Sequence, residues 1–222
     1  MAEDPRVQAY FDARAQPFDG LYDPSPGLRG MFETFVYGRL RWTLERTLSE
    51  LGDLSGKRVL DVGCGSGRYA VAAAERGADV VAIDLSPAML ALARTRAGDR
   101  GVSDRCRFVE SDFDGFQTDV PFDVVLMISV LEYREHVRPD LARLHALTLE
   151  KAIVNVPRPH SWQTIVRRVR HRLRPSPPSF YVHRPATVAA CLEEVGFGEC
   201  RRERGWFVAY RRAERGTGDT GR

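Results

Sequence analysis

No window of this 222-residue chain comes near the roughly eighteen consecutive apolar residues that a membrane-crossing helix needs. The opening MAEDPRVQAYFDARAQ has no apolar core of the kind a signal peptide carries, so the expectation is a soluble, cytoplasmic protein. An excess of charge of one sign is missing too. Lys+Arg of 33 against Asp+Glu of 30 leaves +3, too near balance for bulk charge to indicate nucleic-acid binding. The four cysteines, Cys64, Cys106, Cys191 and Cys200, form no C-x-x-C pair, which points to reduced thiols and no metal site. Internal repeats are absent. One domain of this length buries its core without staples, and the last residues, 214–222, are too polar to pack and read as a disordered tail.

What is present begins at residues 58–67, RVLDVGCGSG. A short buried strand, Arg58 to Val62, runs into Gly63, Gly65 and Gly67 at two-residue spacing and must turn sharply into a helix starting near Gly67. Residues without a Cβ permit such a turn and a close ligand approach. Asp61 adds a carboxylate at the mouth of the turn. The dinucleotide fingerprint G-x-G-x-x-G wants glycine where this chain has Arg68, and Asp61 would oppose a diphosphate with nothing evident to neutralise it. The amino group of a bound amino acid, in contrast, suits a carboxylate as a charge-assisted hydrogen-bond acceptor.

Three further apolar runs end at polar residues. The first, Asp79 to Ile83, meets Asp84, followed by Leu85, Ser86, Pro87 and Met89. An acidic residue ending a second parallel strand can take both hydroxyls of a ribose. Cys106 to Val109 leads into Ser111, Asp112 and Phe113, and Phe122 to Ile128 leads into Ser129-Val130-Leu131-Glu132-Tyr133.

With Asp61, Gly63, Gly65 and Gly67 meeting D-x-G-x-G-x-G, these runs resemble, in order and spacing, the class I S-adenosylmethionine-dependent methyltransferases. The resemblance implies S-adenosyl-L-methionine as cofactor and S-adenosyl-L-homocysteine as product. It also implies a cofactor site built from Asp61, the three glycines, Asp84 on the ribose, Leu85, Met89, Asp112 on the adenine amine, Phe113 and Ile128, with Arg39 a candidate partner for the methionine carboxylate.

After residue 55 short β-rich runs alternate with helical stretches, the signature of an α/β protein with a parallel sheet covered on both faces. Helices are expected near 67–76, 86–97, 139–148 and 185–195, the last opened by Pro185 and closed by Gly196. A fifth strand is expected over Ala152 to Val156, and a closing hairpin over 198–204 and 206–211. The resemblance implies a Rossmann-like seven-stranded sheet, order 3-2-1-4-5-7-6, with the last strand antiparallel. The expected organisation is an N-terminal helical cap over the active site at 1–50, a methyltransferase domain at 51–213 and a lid insertion at 157–184.

That insertion contains IVRRVRHRLR, in which Ile165, Val166, Val169 and Leu173 recur at helical spacing among five arginines between Arg167 and Arg174. A basic amphipathic helix can rest on a membrane surface, limiting contact to 164–174, or grip an anionic small-molecule acceptor; a solvated lid face is an equal alternative. No nucleic-acid partner is expected. A hydroxyl or ammonium acceptor needs a base near the carboxyl ends of strands four and five, and Tyr133, His136 and Tyr22 are the candidates. Tyr10-Phe11-Asp12, Lys151 to Val156 and Tyr181-Val182-His183-Arg184 are similar to the magnesium-protoporphyrin O-methyltransferases. This chain departs from their His-Tyr pair with Glu132-Tyr133-Arg134. The function expected is methyl transfer to oxygen or nitrogen of a small metabolite. A porphyrin carboxylate or protein acceptor, or a catalytically silent cofactor-binding module, stays open.

Overall fold

The computed structural model describes residues 5–16, 28–157, 164 and 180–212. Most of the arginine-rich segment, 158–163 and 165–179, lies outside those residues, as do Tyr22 and the segment 213–222. Two helices, α1 (Pro5–Asp12) and α2 (Leu28–Leu51), precede the sheet. There follow β1 (Arg58–Val62), α3 (Arg68–Ala74), β2 (Asp79–Asp84), α4 (Pro87–Asp99), β3 (Cys106–Glu110) and β4 (Phe122–Met127). The chain continues through α5 (Val137–Leu147), β5 (Thr148–Asn155), α6 (Pro185–Glu194), β6 (Phe197–Glu203) and β7 (Trp206–Arg211).

The seven strands lie in the order β3-β2-β1-β4-β5-β7-β6, as the sequence patterning and resemblance imply. β1 pairs in parallel with β2 and β4, β2 with β3, and β4 with β5. β7 runs antiparallel to both β5 and β6. Side chains of a strand alternate between faces, and in the central strands β1, β2 and β4 both faces are largely buried, so these strands are mostly apolar, whereas β3 and β6 at the edges carry exposed polar residues. Leu60, Val62, Val125, Met127 and Val154 face α5 and α6, where Leu141, Leu144, Val188 and Leu192 meet them. Val59, Val80, Val124, Leu126 and Ile153 face the other layer, with Tyr69, Ala70, Ala73 and Leu90 of α3 and α4. Leu51 at the end of α2 joins this second layer, and the Trp206 indole donates to Thr47 Oγ1 at 3.0 Å, fixing α2 to β7.

β5 begins earlier than its apolar run suggests. Thr148 ends the preceding helix in an extended conformation and pairs opposite Phe122; the ladder with β4 then shifts register and resumes with Lys151 opposite Val124. Leu149 is 51% exposed there, so the extension is stabilised by backbone pairing more than by side-chain burial.

The turn from β1 into α3 is where packing is tightest. Helix α3 is short and alanine-rich, and all but its first residue are buried, which lets it lie close to the sheet and to α4. Gly67 precedes it at φ 76°, and a Cβ there would stand 2.7 Å from the Ala93 methyl of α4. Gly67→Ala is therefore expected to lower unfolding free energy by roughly 2–4 kcal/mol, from left-handed strain plus overpacking. Urea titration of that variant, Ala93→Gly and the double variant should give a coupling of roughly 1 kcal/mol or more. Additive effects would contradict the close approach.

Candidate active site

The sheet order reverses between β1 and β4, because successive crossovers carry the chain from β1 outward to β3 and then back to the other side of β1. Open α/β sheets form their ligand crevice at the carboxyl ends of such a pair of strands. Four polypeptide segments converge on it: the glycine turn after β1, Asp84 to Ser86 after β2, the stretch from Ile128 to Arg134 after β4, and Asn155 at the end of β5.

The glycines of the turn differ in their surroundings. A Cβ at Gly63 would lie 2.5 Å from Val130 Cγ2, so the turn can approach the post-β4 segment only without a side chain. At Gly65, φ 52°, a Cβ would meet nothing within 4 Å. The open space lies over Gly65, where a ligand could approach the backbone.

Beneath the turn sits Asp61, only 1% exposed and so deeper than a position at its mouth. Its Oδ2 is buried with no hydrogen-bond partner. Burial and then the nearby Asp84 carboxylate push its pKa up to about 7, against a backbone hydrogen bond from Ala70. Asp84 accepts Gly65 N–H on Oδ2 at 2.7 Å and Ser86 N–H on Oδ1 at 2.9 Å. Burial raises its pKa as well. Leu85 N–H is a further backbone donor to this carboxylate, which still keeps accepting capacity. Two carboxylates in one low-dielectric crevice favour a cationic or hydroxyl-rich ligand and disfavour a phosphate. Cys64 is buried between them, its thiol pushed up by burial and then by Asp61 and Asp84, the reverse of an activated nucleophile.

Leu85 is partly exposed beside Asp84, whereas Met89, Phe113 and Ile128 are buried. Met89 N–H donates to Ser86 Oγ at 3.1 Å, capping α4, and the Arg143 guanidinium lies 5.2 Å over the Phe113 ring. Asp112 accepts Gly115 N–H on Oδ1, closing the loop after β3. Asp12 of α1 accepts from Ser86 Oγ and from Ala88 N–H, and Phe11 packs edge-on against Tyr133 at 5.7 Å. Helix α1 thus touches Ser86 and Ala88 after β2 on one side and Tyr133 after β4 on the other.

The post-β4 segment is held from several directions. Ser129 adopts φ 61°, a left-handed conformation costly for a side-chain-bearing residue, and its N–H donates to Asn155 Oδ1 at 2.6 Å. Arg134 reaches Asp114 at 2.9 Å and Asp140 at 2.7 Å, joining the loop after β3 to α5. Its guanidinium is 11% exposed, so the pair resists screening. Tyr181 N–H donates to Glu132 O at 2.8 Å, and His183 Nε2 lies 3.1 Å from Leu131 O and 2.8 Å from Arg134 O. The sequence candidates are dispersed by comparison. Tyr133 faces Phe11, His136 is exposed at the start of α5 with no capping bond from its side chain, and Arg39 donates to the Val156 carbonyl beyond β5. His183 and Asn155, which carry the polar geometry here, were not candidate site residues in the sequence.

Residues 59–151 match the family described as "Methyltransferase domain". This segment is a methyltransferase domain. It includes β1 to the start of β5 and therefore the glycine turn, Asp84, Asp112 and the post-β4 segment. The chain is 34% identical over 106 residues to the ubiquinone biosynthesis O-methyltransferase of Rickettsia felis, covering 48% of this chain and 43% of that protein. It is 39% identical over 95 residues to the protein of the same name in Pseudomonas fluorescens, covering 43% of this chain and 39% of the relative. The chain thus spans about two fifths of these relatives. Among solved structures, magnesium protoporphyrin IX methyltransferase from Synechocystis with bound SAH superposes with a TM-score of 0.75. That match is 22% identical and covers 94% of this chain and 100% of the other. An O-methyltransferase family protein from Burkholderia thailandensis gives a TM-score of 0.63 at 16% identity, covering 95% and 72%. These likenesses establish a shared fold. Among the described residues of the methyltransferase domain and its flanks, no helix is long and apolar enough to cross a membrane.

The Asp61 carboxyl gives the ligand-free protein a characteristic pH dependence. Its folded pKa, about 7, lies above the ordinary value of 3.8, so the folded state binds the proton more tightly. The stabilising contribution of the protonated form is complete below about pH 4 and is lost as pH rises to about 7. The full effect is on the order of 4 kcal/mol at 1.36 kcal/mol per pH unit. Asp61→Asn should unfold at higher denaturant than the parent at pH 8 and lose that advantage by pH 4. A difference between the two proteins that does not change with pH would contradict the buried, unpartnered carboxylate.

Proposed function

We propose that the protein binds S-adenosylmethionine and transfers its methyl group to an oxygen of a small metabolite by in-line displacement, releasing S-adenosylhomocysteine. The observation that carries this reading is the unpartnered Asp61 oxygen beneath a turn left open at Gly65, with Asp84 beside it. An ammonium group answers the buried carboxylates, and a ribose diol answers the remaining accepting capacity of Asp84. The O-methyltransferase names of the relatives support oxygen as the acceptor atom, with nitrogen the alternative. A bound sulfonium supplies an already activated methyl, so the protein has chiefly to orient the acceptor and remove its proton.

In this reading Asp112, Phe113, Leu85, Met89 and Ile128 form the adenine side of the site. Arg39 and Tyr22 belong to the covering N-terminal region, residues 1–50. Contacts of Asp12 with Ser86 and Phe11 with Tyr133 support such a cover. The second reading, methylation of a porphyrin carboxylate, draws on the full-length likeness to the Synechocystis enzyme. Incubating the protein with methyl-labelled cofactor and a metabolite extract, then identifying the labelled product, separates the two.

Cofactor binding is tested without any acceptor. Asp84→Ala should weaken S-adenosylhomocysteine by about tenfold or more in calorimetry, corresponding to roughly 1.5–3 kcal/mol for a charged hydrogen bond. Gly65→Val should abolish binding, because the side chain would occupy the open space over the turn, in a protein that still folds but is destabilised by left-handed strain at φ 52°. Unchanged affinity in either variant would refute the proposed cradle. For the acceptor, replacing Arg167, Arg168 and Arg170 by Gln should raise KM at low salt and leave cofactor affinity intact, since exposed charges act within about 10 Å at 0.1 M. Unaltered KM at low salt would leave those arginines without a part in binding.

A further inference from the structure

We propose that His183 is the general base that deprotonates a hydroxyl acceptor through Nδ1, its Nε2–H being held by the carbonyls of Leu131 and Arg134. This rests on the methyltransferase reading and adds a catalytic residue to it. Nε2 lies 3.1 Å from one carbonyl oxygen and 2.8 Å from the other. Carbonyl oxygens only accept, so the hydrogen must reside on Nε2, shared between them. In the neutral ring Nδ1 then carries the lone pair, and it has no partner among the described residues. Among the described residues the two carbonyls fix the tautomer and leave the basic nitrogen without a partner.

The ring is also held in place. Tyr181 N–H donates to Glu132 O at 2.8 Å, so the segment carrying His183 is joined to the same post-β4 turn two residues away. The turn is clamped by Arg134 to Asp114 and Asp140. It begins four residues after Met127, the end of β4, beside the crevice where the order of the sheet reverses. A group that must meet an acceptor at hydrogen-bond distance needs such support. His136, free in sequence to play this part, is exposed with no capping bond, and Tyr133 is engaged by Phe11.

The proton balance is simple. The acceptor O–H bond breaks with its proton passing to Nδ1, and the oxygen pair forms the bond to the methyl carbon as the carbon–sulfur pair returns to sulfur. The ring becomes an imidazolium, whose Nε2–H donates to the two carbonyl dipoles more strongly than before. The ionisable groups on the elements around the ring are Glu132, Tyr133 and Arg134 of the turn, Asp114 and Asp140 paired with Arg134, and Tyr181 and Arg184 on its own segment. They are unchanged in the substitution below.

His183→Gln is the informative variant, because the Gln amide can keep donating to the carbonyls but cannot accept the proton. Three readouts decide the matter: S-adenosylhomocysteine affinity by calorimetry, methyl transfer to catechol and 4-hydroxybenzoate against pH, and long-range proton–nitrogen NMR of the wild-type imidazole in the S-adenosylhomocysteine complex. The expected result is a neutral His183 protonated at Nε2, and a variant with affinity within about twofold of the parent. Its kcat should fall about 100-fold or more, as for loss of a general base, with the acid limb of the pH profile flattened. Retained kcat, a retained acid limb, or a neutral ring protonated at Nδ1 overturns the proposal. Transfer to neither probe by a wild-type protein that binds S-adenosylhomocysteine also overturns it, since the hydroxyl class is part of the claim. Should the variant fail to fold, the wild-type spectrum still decides. Wild-type protein that does not bind S-adenosylhomocysteine refutes the methyltransferase reading itself.

Discussion

Two segments at the crevice come so close that neither could move in further: the turn after β1 and the chain leaving β4. A single methyl group at residue 63 would overlap Val130, and one at residue 67 would overlap Ala93 of α4. These contacts set how near the turn lies to its neighbours on both sides, and so the width of the opening left over Gly65. Asp61 is buried because the turn closes above it, and Asp84 can reach the Gly65 N–H because the same turn brings that amide to the end of β2.

The electrostatics of the site follow from this packing. A carboxylate with an unpartnered oxygen at 1% exposure is unfavourable in the ligand-free protein, and burial holds it near neutrality with a pKa of about 7. Elsewhere the protein treats buried charge in the opposite way. Arg134 meets two carboxylates in the fork geometry that guanidinium supports, and the pairing ties together a loop, a turn and a helix. One site holds a buried carboxyl with an unsatisfied oxygen, and the other uses satisfied charge to hold a loop, a turn and a helix together. Helix α1, through Asp12 and Phe11, joins the two sides of the opening.

Much of the sheet was legible because the central strands are short, mostly apolar runs leading into glycine or polar residues. β1 has the bounds the sequence suggests, Arg58 to Val62, and Pro185 and Gly196 mark the ends of the α6 region. β5 was misread at its start because Glu150 and Lys151 mask a strand that is stabilised through backbone pairing. The site was legible where a motif is local, as in Asp61, the glycines and Asp84. His136 illustrates the limit: its chemistry suits a base, but residue type says nothing about the solvent it faces.

The sequence alone determined the order of elements, the glycine turn and the carboxylates at the ends of β1 and β2, since apolar runs, missing Cβ atoms and acidic residues near strand ends are properties of neighbours along the chain. Only the tertiary structure decided that Asp61 lies beneath the turn, that Ser129 takes a left-handed conformation against Asn155, and that His183 lies against Leu131 and Arg134, 52 and 49 residues away. The reason is physical. Tautomer, burial and pKa depend on which distant backbone groups packing brings within about 3 Å, and no local pattern encodes that distance.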